Sequence, residues 1–288
     1  MQEMNVGVIG NGFVGNSLYH TFSPQFTVRV YDVIPEKSTH TLEEVIDESD
    51  IIFVCVPTPM KADGHIDLSY IENVFQQSRV IIDGLFLNED ELVNKVFIIK
   101  STVVPGTTGQ LSEKYNLTMG FSPEFLTERT AVSDSLCSNH TIVGGHPIAR
   151  YTLQALYKKR FGAAHNVFQP NVNTAEFIKY MRNCYFATKV TFMNEMYKIA
   201  ENMDVDWDAA VSGFALDGRV SHSHLQVPGH DGKFGFGGTC FPKDINAIIQ
   251  ASNDYDYYPL FLAQVEFLNR RFRKEEDWTS QVGRAVSE

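Results

Sequence analysis

Asn5-Val-Gly-Val-Ile-Gly-Asn-Gly-Phe-Val-Gly15 decides the fold. Asn5–Ile9 is a short apolar run that reads as a buried strand. Gly10, Gly12 and Gly15 follow in the order G-x-G-x-x-G, and Asn16–Phe22 has helical character. Strand, glycine loop and helix are the context in which that spacing carries meaning. Gly10 makes the tight turn, Gly12 lets a pyrophosphate approach the backbone, and Gly15 lets helix and strand pack closely. The helix N-terminus then faces the phosphates. Thr27–Tyr31 reads as the second strand and ends in Asp32, 22 residues after Gly10. That is close to the spacing of a carboxylate on the adenine ribose hydroxyls. An acid there repels a 2′-phosphate, so NAD is expected in preference to NADP.

Outward from this stretch, Asp50–Val56 is apolar as in a parallel strand. Val80–Ile82, Val96–Ile99, Met119–Phe121, His140–Gly145 and Asn166–Phe168 read as further strands. Leu42–Glu48 and Leu68–Gln77 read as helices between them, and Thr107 and Thr108 precede a third that runs through about Tyr115. The expected class is α/β: a doubly wound, mostly parallel Rossmann sheet of six to eight strands over residues 1–170. Pro57–Pro59 and Lys100–Thr108 fall at carboxyl ends of strands, where such sheets bind ligands. From Asn173 to Asn202 there is no Gly or Pro, and apolar residues recur at helical spacing. Asn173 with Glu176 forms an N-cap and capping-box pattern. A helix of about 43 Å results, long enough for a hinge element or a dimer spine. A helical central domain over 171–275 is expected to be built on it, with 276–288 a loose charged tail.

The chain has 288 residues, 43% of them apolar, which supports one large core or two ordinary ones. A net charge of −11 argues against a general nucleic-acid or anionic-membrane binder. No apolar run reaches a membrane span, and the N-terminus reads as a strand and not a signal. Cys55, Cys137, Cys184 and Cys240 show no CxxC pair, so a reducing cytoplasm is the expected location.

Chemistry concentrates in Gly235-Phe-Gly-Gly-Thr-Cys-Phe-Pro-Lys-Asp244. Gly235, Gly237 and Gly238 admit positive φ and close approach of a ligand. Pro242 suits the first turn of a helix. Cys240 would then lie at a helix N-terminus, where the dipole favours the thiolate, with Lys243 one turn on. That is the environment of a nucleophile. Glu124 and Glu128 share a face if their turn is helical, as acid–base partners or as a solvated helix start. Lys179 and Asn183 are i,i+4 partners; spacing alone favours a solvated Lys179. His222, His224 and His230 lack carboxylate or thiolate company, so no metal is expected.

These segments together resemble the UDP-glucose/GDP-mannose dehydrogenase family. Val56–Pro59, Asp63-Gly64 with Asp67–Tyr70, Lys100–Val103, Pro123–Leu126, Ala175–Lys179 with Asn183, and Gly235–Asp244 look like its motifs, in order, over roughly residues 4–270. The resemblance implies NAD-dependent oxidation of a nucleotide sugar, most like UDP-glucose, at C6. It implies NAD contacts from Val14, Asp32, Lys37, Thr58, Thr102, Glu128 and Lys243 beside the glycine loop. It gives Glu124, Phe125, Leu126, Lys179, Asn183, Lys233, Phe234 and Gly237 to the sugar nucleotide, and Arg219 to a partner subunit's substrate. Cys240 would carry thiohemiacetal and thioester intermediates. Asp244 and Lys179 would hold a basic water, Glu124 would assist hydrolysis, and Thr102 and Asn183 complete the catalytic set. A homodimer through the 173–202 helix is implied. The family's third, nucleotide-gripping domain would begin near where this sequence stops, so few base contacts and weak base selectivity are expected. Phe241-Pro242 does not separate UDP-glucose from GDP-mannose or N-acetylhexosamine enzymes. A 3-hydroxyacid or 6-phosphogluconate-type dehydrogenase shares the two-domain plan but needs no cysteine. A non-catalytic NAD-binding partner of a full-length enzyme needs neither Cys240 nor Lys179.

Overall fold

Strands with four consecutive apolar residues need cover on both faces, and the computed structural model supplies it. It describes residues 4–85 and 88–287. In chain order, β1 (Val6–Ile9), α1 (Phe13–Phe22), β2 (Val28–Tyr31), α2 (Leu42–Glu48), β3 (Ile51–Val54), α3 (Ser69–Gly84), α4 (Glu89–Asn94) and β4 (Val96–Ile99) come first. Next are α5 (Thr107–Tyr115), β5 (Thr118–Phe121), α6 (Ala131–Leu136), β6 (His140–Ile142), β7 (Gly144–Gly145), α7 (Pro147–Phe161) and β8 (Asn166–Phe168). The sheet order is β2-β1-β3-β4-β5-β7. Its first five strands run parallel, and β7 is antiparallel to β5. Leu18, Phe22, Leu153 and Tyr157 cover one face with Val6, Val8 and Phe53. Val45, Ile46, Ile71, Phe75 and Leu111 cover the other with Ile52 and Phe97. The chain leaves β1 in one direction to β2 and returns to its other side for β3. The crevice at that reversal is where a doubly wound sheet takes its ligand.

Three expectations need correction here. Val80–Ile82 is the end of α3, not a strand. Ile71, Val74, Phe75, Ser78 and Ile82 are buried at helical spacing, while Val80 is 69% exposed. His140–Gly145 is not one strand of the main sheet: β7 joins that sheet, while β6 pairs with β8 in a separate parallel pair. The long helix α8 runs Val172–Asn202, and Asn171 Oδ1, not Asn173, accepts the Thr174 N–H at 2.8 Å. Glu176 makes no capping box. Its carboxylate accepts the N–H groups of Gly106 (2.7 Å) and Thr108 (2.8 Å) at the start of α5. The first compact unit runs to Thr58 and resumes from Leu68 to Lys179; the second holds Pro59–Asp67 and the chain from Tyr180 on. The division between these compact units falls inside α8, because Ala175 and Glu176 are fully buried against the first unit's own core and loops.

In the second unit, Cys184 and Ala187 of α8 pack with Ile245 and Ile249 of α10 (Phe241–Asn253) and Val265 of α11 (Leu260–Phe272). α9 (Trp207–Phe214) lies between α8 and α10 in sequence, and Trp207 packs against Tyr197. The tail is not loose. Trp278 is 3% and Ala285 1% exposed, and the Met60 N–H donates to the Ala285 carbonyl at 2.9 Å. The Ser287 N–H in turn donates to the Met60 carbonyl at 2.8 Å. A buried tryptophan and these backbone bonds offset the ordering entropy that a charged terminus otherwise keeps. Among the described residues no helix is long and apolar enough to cross a membrane.

Glu176 gives a direct test of this packing. Its two carboxylate oxygens satisfy two of the N–H groups that every helix start leaves orphaned. Glu176→Gln keeps one acceptor and leaves one buried N–H unpaired, costing about 1–3 kcal/mol; Glu176→Ala leaves two and costs more. Denaturant unfolding reads both. Variants as stable as the wild type would contradict the assignment.

Candidate active site

The glycine loop at the β1 carboxyl end meets each requirement read from it. Gly10 has φ +93°, and a Cβ there would lie 2.8 Å from the Cys55 carbonyl oxygen at the end of β3. A Cβ on Gly15 would lie 1.9 Å from the Gly10 carbonyl oxygen, so α1 and the loop pack as only glycine allows. A Cβ on Gly12 would meet nothing within 4 Å, which leaves open space beside the N-terminus of α1. No side chain caps that terminus and no acid sits in its first turn, so its N–H groups suit a phosphate. Val14 is half-buried in the same turn. Asp32 Oδ2 accepts the Asn11 N–H at 2.6 Å, which ties the end of β2 to the loop. Lys37 is exposed in a 3-10 turn, and its carbonyl accepts from Asn11 Nδ2. Thr58 Oγ1 donates to the Thr102 carbonyl at 2.8 Å and joins the loops that follow β3 and β4. These residues fit a dinucleotide.

Also in the first unit, the segment after β5 carries Glu124. Its expected helical turn is absent. Glu124 Oε2 accepts the Leu126 N–H, and Asp134 Oδ2 accepts the Thr127 N–H. Both bonds draw the backbone away from a helix. Glu124 is buried, while Glu128 is exposed at the start of a separate 3-10 turn, so the two do not share a helical face. Lys179 is 3% exposed, not solvated; its Nζ donates to Glu124 Oε1 at 2.6 Å and to the Glu124 carbonyl at 2.8 Å. Burial opposes the charge on Glu124. The Lys179 ammonium and its hydrogen bond, the Leu126 N–H and Lys100 outweigh it and hold the carboxyl below its ordinary value.

Lys100 was not among the expected site residues. It is buried, and its Nζ donates to the Pro123 carbonyl at 3.1 Å. Burial pushes its pKa down to about 8. The signal was present in the sequence: a lysine directly after the all-apolar Val96–Ile99. Lys100, Glu124, Phe125 and Leu126 line a cavity of about 320 Å³ with Val14 and His140. Phe125 stacks on His140 with ring centroids 5.8 Å apart.

In the second unit, Cys240 occupies the N-cap of α10, half-buried, with Pro242 in the first turn. Asp244, one turn on, is 1% exposed. Asn183 Nδ2 donates to its Oδ2 at 2.5 Å, and Lys243 Nζ pairs with its Oδ1. The Lys243 charge is thus partnered by Asp244. Gly235 and Gly237 answer to the protein's own packing. A Cβ on Gly235 would lie 2.5 Å from Asn269 Oδ1, and one on Gly237 2.4 Å from the Arg273 guanidinium. Gly238, at φ +74°, has open space around it. Lys233 pairs with Glu275, and Phe234 packs on Tyr197. Arg219 is exposed and pairs with Asp217. His224 stacks on Phe186 at 4.2 Å; burial first, then Arg182 and Lys189, push its pKa down to about 4. Among the described residues no group of three or more His, Cys, Asp or Glu could hold a metal.

Comparison with known proteins agrees with this geometry. Residues 36–160 match the NAD binding domain of the UDP-glucose/GDP-mannose dehydrogenase family, and residues 173–271 match its central domain. The chain belongs to this family. It is 27% identical over 294 residues to the UDP-glucose 6-dehydrogenase YwqF of Bacillus subtilis, covering 88% of this chain and 63% of that protein. It is 30% identical to the GDP-mannose 6-dehydrogenase of Pseudomonas savastanoi pv. phaseolicola, covering 86% and 55%. The chain spans between 48% and 63% of the length of the first curated relatives it matches. The fold resembles that of a UDP-glucose dehydrogenase from Pyrobaculum islandicum, with a TM-score of 0.80 at 24% identity, over 94% of this chain and 68% of that one. A 3-hydroxyisobutyrate dehydrogenase of Mycobacterium tuberculosis shares the fold at TM-score 0.74 and 14% identity, over 96% and 95%.

The Glu124–Lys179 pair predicts an acid limb of stability. Glu124 has a folded pKa below its unfolded value, so its contribution is present above the ordinary value of 4.5 and is lost as pH falls through the folded one. Glu124→Gln should melt lower than the wild type at neutral pH, and the two melting curves should converge on acidification. A gap that stays constant down to about pH 3 would show that the carboxylate is not held ionised by Lys179.

Proposed function

We propose that this chain oxidises the C6 alcohol of a nucleotide sugar, UDP-glucose foremost, to the carboxylate, with Cys240 as nucleophile. The observation that carries the reading is Cys240 at the N-cap of α10, one turn before a buried Asp244 bonded to Asn183. An α-helix start favours the thiolate over the thiol. When bound on the Gly10–Gly15 loop, NAD accepts one hydride in each of two oxidations. Asp244 and Lys179 orient the water that takes the C6 hydroxyl proton. The Cys240 thiolate then adds to the aldehyde carbon, and the carbonyl oxygen becomes an oxyanion. Asn183 and Lys179 stabilise that charge. Loss of the second hydride leaves a thioester on Cys240. Glu124, kept ionised, takes a proton from the attacking water; the C–S bond breaks, and carboxylate and thiolate are released. Holding the aldehyde covalently makes the second oxidation intramolecular.

Relatives named GDP-mannose 6-dehydrogenase, as similar as those named for UDP-glucose, favour one alternative: the same chemistry on another nucleotide sugar. The hydroxyacid dehydrogenase likeness is one of fold alone, and that chemistry has no use for Cys240. Among the described residues no disulfide joins Cys55, Cys137, Cys184 or Cys240, which fits a reducing, cytoplasmic setting.

Wild-type enzyme should release two NADH per sugar acid formed. Cys240→Ser should lose the acid product, because serine forms no thioester and its hemiacetal is a poor hydride donor. Two NADH per sugar from that variant would rule out covalent catalysis.

We also propose a homodimer through α8. Met181, Tyr185, Phe192, Met196 and Ile199 are each at least 38% exposed at helical spacing along it, an apolar stripe that water does not favour. Light scattering at micromolar concentration should give twice the monomer mass, and Tyr185→Lys should lower it. A wild-type monomer would contradict the proposal.

A further inference from the structure

Gly235–Gly238 delivers Cys240 to α10, and it is held along its whole length. Asn194 Oδ1 accepts the Gly235 N–H at 2.9 Å. Asn269, 2% exposed near the end of α11, grips Phe236 with both ends of its amide. Its Oδ1 accepts the Phe236 N–H at 2.7 Å and its Nδ2 donates to the Phe236 carbonyl at 2.9 Å. Asp277 Oδ2 accepts the Gly238 N–H at 3.3 Å. The Arg273 guanidinium lies against Gly237 so closely that no side chain fits there. Arg273 is itself 3% exposed and fixed from two directions, by Asp277 at 2.9 Å and Asp231 at 2.7 Å.

A turn that only had to pack would not need this. The neighbouring cluster of Phe236, Ile245 and Val265 is apolar, and apolar replacements of buried ion pairs are often neutral or stabilising. What a bidentate amide and a forked guanidinium add is one backbone geometry.

We propose that Asn269, Arg273 and Asp277 are positioning residues for the Cys240 nucleophile. They fix Gly235–Gly238 so that the thiol reaches the N-terminal end of α10 in a single arrangement. Asn269→Asp would set a carboxylate against the Phe236 carbonyl. Arg273→Lys keeps the charge but cannot fork between Asp231 and Asp277. Asp277→Ala frees the Gly238 N–H. The inference rests on Cys240 as the nucleophile of the proposed reaction, so it is read in two ways, one without substrate.

With substrate, folded variants assayed below their melting temperatures should lose about 10²-fold in kcat, the cost of roughly 1 Å of misplacement, with little change in KM. Without substrate, iodoacetamide labelling is followed by peptide mass spectrometry, with exposed Cys137 as internal reference. The ratio of Cys240 to Cys137 labelling rates should fall in every variant. Folded variants with wild-type kcat and a wild-type labelling ratio would overturn the proposal. Should the Asn269 and Arg273 variants fail to fold, Asp277→Ala, on a partly exposed turn, decides alone. If Cys240→Ser still makes acid, the proposed reaction fails, and the labelling ratio still decides whether the clamp positions the thiol.

Discussion

Burial of polar side chains along α8 is the constraint on which the rest depends. Glu176, Lys179, Asn183, Thr191 and Asn194 are all 3% exposed or less and recur every three, four or, between Asn183 and Thr191, eight residues. Each buried polar atom needs a partner, at a cost of about 1–3 kcal/mol if left without one. Four of these partners are segments of the proposed site. Glu176 takes the start of α5 beyond the Thr102 loop, and Lys179 takes Glu124. Asn183 takes Asp244, and Asn194 takes the loop before Cys240. The long helix therefore acts as a rack of hydrogen-bonding groups as much as a packing surface.

The dinucleotide cradle is built differently. It depends on backbone sterics and little on side-chain bonds: Gly10 in the left-handed region, Gly15 against the loop carbonyl, and space beside Gly12. Charge is handled locally in both units. Lys179 answers Glu124, Lys243 answers Asp244, and Arg273 answers Asp231 and Asp277. Each of these carboxylates thus has a cation beside it.

Local pattern made the sheet and cradle legible. Apolar tetrads, the glycine spacing and Asp32 are each short-range signals, and α2 and β4 fall at their expected bounds. Long-range pairing was not legible. Lys179 reads as solvated until Glu124, 55 residues away, is placed beside it. Glu176 reads as a capping residue until α5, 68 to 70 residues away, claims its carboxylate. Val80–Ile82 misleads because three β-branched residues outweigh the helical spacing of the buried positions around them. Gly235 and Gly237 read as ligand-facing because Asn269 and Arg273, which crowd them, come more than thirty residues later.

The central claim is that Cys240 carries the oxidised sugar and that Glu124 releases it. Peptide mass spectrometry of Glu124→Gln, quenched in acid during turnover with UDP-glucose and NAD, tests it most directly. The account predicts a sugar-nucleotide acyl adduct that accumulates on the Cys240 peptide alone, while acid product lags behind NADH. An unmodified Cys240 peptide while that variant still forms the acid at the wild-type rate would contradict it.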